Sequence, residues 1–370
     1  MTSPSRGPFA SAASGPLKVA NRASAERLDA LQAARAVAAI LVVFYHANDF
    51  VLPLRLYDGE IAWKGFGWGY AGVEFFFVLS GFIIAYVHRE DLGRPARVAR
   101  FLRKRVIRIY PIYWVVLTFL LLGYQFVPDL APEAARDGYS ILTSYLLAPA
   151  EGRTVLPVAW TLKHEILFYI TFVTLIVDLR LGAAVFALWM AACALHLADP
   201  PESFPSAFFL SPYNLLFMLG LAAAYLYRHL PARSVGCLLL LGIAGFLAVG
   251  FSEQYVSPWP LGLRTLTYGF SAAAIVASLA RARYSVLRLG VFLGDASYAI
   301  YLLHLPVMNA AAILIALTGM QALVPPLLMF ALLSCVAVFA GAVAHLVIER
   351  PLLAYLSPRH RSAIPQLGRG

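Results

Sequence analysis

Arg35 and His46 stand in one apolar stretch, Arg35-Ala-Val-Ala-Ala-Ile-Leu-Val-Val-Phe-Tyr-His46. On an α-helix this spacing returns both side chains to nearly one face, about 16 Å apart along the axis. Ionisable groups within hydrocarbon turn to the protein interior, where they pair or do chemistry. A histidine with no cofactor motif nearby is first a candidate general base; the alternative is a polar pair that only holds helices together. Glu74, Glu165, Arg264 and His304 also fall in apolar stretches. Glu165 lies at helical spacing from Thr161 and Tyr169, so three polar groups share a face suited to lining a cavity. Glu74 has Arg264 or a backbone dipole as its structural partner, and His304, between leucines, could simply bond a neighbouring helix. His345 and Glu349, one turn apart, read as a local pair, and Lys163 as a snorkelling side chain beside His164. Arg94, Arg97, Arg100 and Arg103 recur every three residues, with Val98, Phe101, Leu102 and Val106 on the remaining face. That pattern predicts an amphipathic helix at a membrane surface, serving lipid headgroups or a polyanionic ligand held by arginine.

The elements that position these residues follow from composition. Of 370 residues 61% are hydrophobic and 13% charged, and the mean hydropathy is +0.75. A soluble domain carries roughly 25% charge, so this is an all-α, polytopic integral membrane protein. Ten spans are expected, at about 32–51, 68–88, 106–125, 156–177, 181–198, 207–228, 234–252, 262–280, 291–316 and 325–348. Residues 1–27, rich in Ala, Ser, Gly and Pro, are expected to be a flexible cytoplasmic tail without a cleaved signal peptide. Residues 28–352 form the membrane domain and 353–370 a second cytoplasmic tail. Cys193, Cys237 and Cys335 fall within spans and show no metal-ligand spacing, so no metal is expected. The net charge of +10 needs no nucleic acid. Alternate loops are basic, above all Arg89 to Arg105, while the others carry Asp58, Glu60, Asp129, Glu133, Asp137, Asp199, Glu202 and Glu253. The positive-inside bias then places both termini in the cytoplasm of a plasma (inner) membrane protein. In that orientation His46, Glu74, Glu165, Arg264 and His304 are expected to share a cavity in the outer half, opposite the basic cluster.

Five stretches carry a resemblance. They are Arg35-x10-His46, Gly72-Val-Glu-Phe-Phe-Phe-Val-Leu-Ser-Gly-Phe82, Arg105-Val-Ile-Arg-Ile-Tyr-Pro111, Trp160-Thr-Leu-Lys-His-Glu-Ile-Leu-Phe-Tyr169 and Ser297-Tyr-Ala-Ile-Tyr-Leu-Leu-His304. In order and spacing they resemble the membrane acyltransferase-3 family, from about residue 27 to Pro351. The fourth stretch is similar to the exopolysaccharide-modifying branch rather than the branch with a fused esterase-like domain, and no such domain is expected here. Glu74 stands where the family usually has Asp, and Lys163-His164 where relatives carry small or polar residues. The resemblance implies an acyl-CoA donor, most often acetyl-CoA, reaching the protein from the cytoplasm. It also implies a glycan or lipid-linked oligosaccharide acceptor on the outer side or within the membrane, among membrane lipids. A homo-oligomer is left open.

A sugar hydroxyl needs a base to take its proton in the transition state, and His46 is the candidate. Glu165 or Glu74 would orient its imidazole in the manner of a carboxylate–histidine pair. Arg35 would bind donor phosphate or fix span 1; Arg103, Arg105 and Arg108 would hold the nucleotide end of CoA. Trp160, Tyr169, Arg264 and His304 are expected to contact the acceptor. Direct transfer and an acyl-His46 intermediate both remain open. Two rivals stand beside this reading: acylation of a small hydroxylated metabolite such as a macrolide, and a proton-coupled transporter, which also uses buried Arg, His and Glu. Against the transporter, the sequence shows neither internal repeat nor paired broken spans.

Overall fold

A computed structural model describes residues 15–152, 154–282 and 284–357, with side chains from residue 29. Among the described residues every regular element is a helix. This is what hydrocarbon demands of a chain that must satisfy its backbone internally. Ten apolar helices follow the ten expected spans: α1 Gly15–His46, α2 Gly72–His88, α3 Val98–Phe126, α4 Trp160–Val177 and α5 Leu179–Leu195; then α6 Tyr213–Leu226, α7 Val235–Tyr255, α8 Leu261–Arg281, α9 Ser297–Thr318 and α10 Pro326–Ala344. Helix α1 begins inside the stretch expected to be a tail; residues 1–14 and 358–370 lie outside the described residues.

With their flanking turns, nine of the ten are long and apolar enough to cross a membrane, and α5, with 17 residues, is shorter. Contacts nevertheless carry α5 from one end of the bundle to the other. At its start Gly182 packs on the Leu175 backbone, and Leu175 O accepts from Gly93 N (3.0 Å) in the loop after α2. Just past its end, Leu197 packs on Gly262 at the start of α8, beside Glu253. Gly93 and its neighbours belong to the basic end, with Arg89, Arg97, Arg100, Arg103 and Arg180. Glu253 belongs to the opposite end, with Asp58, Asp129, Asp137 and Glu202.

One expectation is corrected here. The arginine-rich stretch is no separate surface helix: α3 runs unbroken from Val98 through Pro111 to Phe126, so Arg100 to Arg108 occupy its first turns. Phe101, on the apolar face of that series, packs between His88 and Phe172, with centroids 4.9 and 5.5 Å away. A buried aromatic anchor at this point packs the basic turns against the bundle, with Arg100, Arg103 and Lys104 on the exposed face. The stretch between α3 and α4 also packs on the bundle. Asp137 caps a short helix, Gly138–Leu146, by accepting from Ser140 N (2.7 Å), and that helix folds back along α3. Tyr110, Tyr113 and Trp114 on α3 donate to the carbonyls of Leu146, Ser144 and Tyr145 at 2.7–2.9 Å.

Small residues let the helices approach closely, as membrane bundles require. A Cβ on Gly72 would strike Ala38 O of α1, which sets the first turn of α2, and so Glu74, against α1. A Cβ on Gly220 of α6 would strike Val78 O and lie 2.7 Å from Phe82 N of α2. Gly220→Leu should therefore separate α2 from α6 and cost about 1–3 kcal/mol or more, as overpacking does. The check is detergent-solubilised protein on size-exclusion chromatography and in a thermal melt: aggregated or early-melting material is expected.

Candidate active site

The ionisable residues gather in two chambers. The first, about 140 Å³, is lined by Arg35 of α1, Ser80 of α2, Arg105 and Arg108 of α3, Glu165 and Tyr169 of α4, and Tyr298 and Tyr301 of α9. Arg108 Nη1 donates to Glu349 Oε1 (3.0 Å), and the guanidinium lies over the Tyr298 ring at 5.5 Å. Glu349, 1% exposed, also meets His345 Nδ1 at 2.7 Å. Arg105 rests over Phe101 and Tyr169 at 5.8 and 5.7 Å, and its buried Nε has no hydrogen-bond partner. Arg35 donates to Gln32 Oε1 at 3.3 Å. Glu165 Oε1 accepts from Ser80 Oγ (3.0 Å) and from Tyr169 OH. Three arginines thus face two carboxylates, leaving an excess of positive charge and one unsatisfied donor for an anion.

The second chamber, about 370 Å³, is lined by Tyr45, His46, Tyr70, Val73, Glu74, Trp160, Tyr213, Arg264 and Tyr301 among others. His46 closes α1 just before a π-helical turn, Ala47–Val51, a device frequent at functional sites. Asn48 in that turn fixes the following loop by accepting from Ala62 N and Trp63 N, both at 3.0 Å. Hydrogen bonds define the tautomer of His46. Val42 O, 2.9 Å from Nδ1, can only accept, so Nδ1 carries the proton. The same Nδ1 lies 3.2 Å from His304 Nε2, which must then accept. His304 Nδ1 is left as a donor to Ile300 O at 3.2 Å. Both rings are thereby locked by helix carbonyls, and the lone pair of His46 is on Nε2.

Glu74, 1% exposed, lies in the first turn of α2, where the helix dipole favours an anion. Neither of its oxygens has a partner beyond its own backbone. Arg264 does not pair with it. The guanidinium stacks on the Tyr70 ring at 4.6 Å and meets Glu253 Oε1 at 3.7 Å. Glu253 Oε2 also accepts from Tyr268 OH (3.2 Å) and Tyr70 OH.

The chambers share Val73 and Tyr301. Tyr301 is held there by donation to Val158 O (3.1 Å) and by Thr161 Oγ1 at 2.9 Å. His46, Glu74, Arg264 and Trp160 come together as expected from the sequence. Glu165 does not join them: with Tyr169 it lines the arginine chamber, and the partner of the His46 imidazole is His304. His304, fully buried behind His46, lines neither chamber. Arg103 is exposed and outside the arginine chamber, because its neighbours Phe101 and Arg105 take the inward face of α3. Sequence reasoning missed Glu253, which ends α7 and reads as a loop acid, and the tyrosines 70, 298 and 301. Their signal is recurrence beside charged positions in apolar helices. His164 bonds Asn214 Oδ1 (2.9 Å) behind Trp160 and Tyr213 and lines neither chamber.

Comparison with known proteins sets this site in a family. The acyltransferase domain family matches residues 28–346, and the chain belongs to that family, the acyltransferase-3 family of multi-pass membrane proteins. The chain is 30% identical to the exopolysaccharide production protein ExoZ of Rhizobium meliloti (strain 1021), over 77% of this chain and 90% of the relative. Acyltransferase MdmB of Streptomyces mycarofaciens is 28% identical, over 79% of this chain and 82% of its own. Nodulation protein 10 of Rhizobium leguminosarum bv. viciae is 26% identical, over 64% and 71%. No solved structure matches the chain significantly.

Arg108→Met should leave buried Glu349 with His345 alone and destabilise the protein by about 3 kcal/mol, as broken buried pairs do. Arg103→Met, at an exposed position, should stay within about 0.5 kcal/mol of wild type. Thermal unfolding in detergent, read side by side for the two variants, checks the contrast.

Proposed function

We propose that this protein transfers an acyl group, acetyl above all, from acyl-CoA in the arginine chamber to a glycan hydroxyl in the His46 chamber. The observation that carries the reading is the shared wall: an arginine-lined cavity and a histidine-lined cavity abut at Val73 and Tyr301. Arg105, with its unpartnered buried Nε, and Arg35 would receive donor phosphate, since guanidinium binds phosphate through several directed N–H groups. In this reading the basic end faces the cytoplasm of an inner membrane, both termini with it, and the thioester is presented to the junction. The name of the relative ExoZ supports a polysaccharide acceptor, and the aromatic lining of Trp160, Tyr70 and Tyr213 suits the apolar faces of sugar rings.

In the reaction, His46 Nε2 takes the proton of the acceptor hydroxyl as its oxygen attacks the thioester carbonyl. The C–O bond forms, the C–S bond breaks, and the imidazolium returns the proton to the departing thiolate. We assign the orienting role to His304 and Val42 O rather than to a carboxylate, because both hold Nδ1–H throughout. Glu74, in the same chamber, would hold acceptor hydroxyls, and Glu165, across the junction, the polar arm of the donor.

Purified protein, labelled acetyl-CoA and surface glycan test this. His46→Ala should lose transfer by about 10²–10⁴-fold while still accumulating in the membrane. Full activity of His46→Ala would overturn the base assignment. His304→Leu should lower kcat by about tenfold or more with the donor KM unchanged, and His304→Gln, which restores an acceptor, should recover part of it. A His304→Leu effect confined to KM would contradict the positioning role. Arg105→Met should instead raise the donor KM about tenfold at constant kcat.

A further inference from the structure

A third cavity lies outside both chambers. It is a groove of about 900 Å³ between α3 and α9, closed at one end by the segment after α1. Along α3 it runs from Ile112 to Val127, about 22 Å at helical rise, most of a hydrocarbon thickness. Its walls are apolar over that length, and its polar lining residues, Arg55, Tyr124 and Asn309, all sit toward the acidic end.

Two features separate this groove from an ordinary lipid-facing crevice. The first is Arg55. It is exposed at an end of the molecule otherwise rich in carboxylates, and it donates only to the neutral Asn309 Oδ1, at 3.2 Å. Among the described residues no carboxylate lies within ion-pair distance of it. Of the other described cations in the loops and helix starts at that end, Lys64 lies over the Tyr255 ring, Arg136 donates to Pro128 O and Arg264 meets Glu253, while Lys163 is buried within α4, away from the groove. An unpaired guanidinium above an apolar slot complements a molecule with an anionic head and a long apolar tail. The second feature is adjacency: Phe50 and Pro157 line both the groove and the His46 chamber, so the two cavities abut there. A head held at Arg55 therefore lies next to the His46 chamber, across Phe50 and Pro157. A membrane phospholipid gains nothing from that connection, whereas a lipid whose headgroup carries the hydroxyl to be acylated does.

We propose that the groove between α3 and α9 seats the polyisoprenoid chain of a lipid-linked glycan, with Arg55 on its phosphate, so that the sugar enters the His46 chamber sideways from the membrane. This rests on the transfer reading above for its purpose, but the binding is measurable without transfer.

The test uses the full protein in phosphatidylcholine nanodiscs and a photoactivatable polyprenyl phosphate. Label is expected on the α3 turn around Gly123 and the α9 turn around Ala310, resisting competition by phosphatidylglycerol. A Cβ on Gly123 meets nothing within 4 Å and Ala310 is exposed, so Gly123→Trp and Ala310→Trp add bulk to the groove lining from open positions. Both should abolish labelling. Arg55→Gln should remove the preference for polyprenyl phosphate over polyprenol, about tenfold for a charge-assisted contact. Arg55→Gln and Gly123→Trp should also raise the KM for a polyprenyl-linked glycan while sparing a lipid-free glycan. His46→Ala should be labelled like wild type, so that loss of the catalytic reading and loss of this one are told apart. Displacement by phosphatidylglycerol on equal terms, which would mark a bulk-lipid crevice, overturns the proposal. So does labelling unaffected by the two tryptophans.

Discussion

Hydrocarbon leaves an ionisable side chain one direction in which to face, and α1 carries two such side chains on one face. That constraint organises the molecule. Arg35 and His46 must both look inward, about 16 Å apart along their helix, and everything else that is polar within the bundle is arranged around those two points. Arg35 fixes where the arginine chamber lies and His46 fixes the other. Helices α2, α4 and α9 wall the space between them, and Tyr301 stands where the chambers meet.

Partners are distributed unequally between framework and site. Glu349 is satisfied by Arg108 and His345, and Glu253 by Tyr70, Tyr268 and Arg264, so these two carboxylates tie helices together. Glu74 and the Arg105 Nε are buried without comparable partners, and each lines a chamber. A buried polar group without a partner is costly, so it persists where a ligand can satisfy it. The His46–His304 pair lies between these extremes. Both Nδ1 atoms are bound to helix carbonyls and only the Nε2 of His46 is left free, which makes the tautomer a property of the backbone.

The ten helices and the inward-facing residues were legible because apolar length and isolated charge are local signals. Even α5, short as it is, was visible as an apolar run between two turns. What could not be read were relations between distant segments. His304 looked like a single mid-helix histidine; its contact with His46 spans 258 positions. Glu165 was expected beside His46 because it follows an apparent outer loop. The folding-back of Gly138–Leu146 onto α3, set by three side-chain bonds to carbonyls, is invisible to hydropathy. Glu253 read as one more loop acid, since nothing in its own neighbourhood announces Tyr70 or Tyr268. The arginine series read as a surface helix because a period of three is common to both arrangements; burial of Phe101 decides between them.

The central claim is that the two chambers are the halves of one passage, entered by the donor at the basic end and by the acceptor at the other. The most direct measurement reconstitutes the protein in sealed liposomes, with orientation fixed by protease accessibility of the Arg89–Arg97 loop. Labelled acetyl-CoA is supplied only on the side of that loop and the acceptor glycan only on the opposite side. The account predicts labelled glycan in this arrangement and none when the two sides are exchanged. Product formed only when donor and acceptor share one compartment would contradict it.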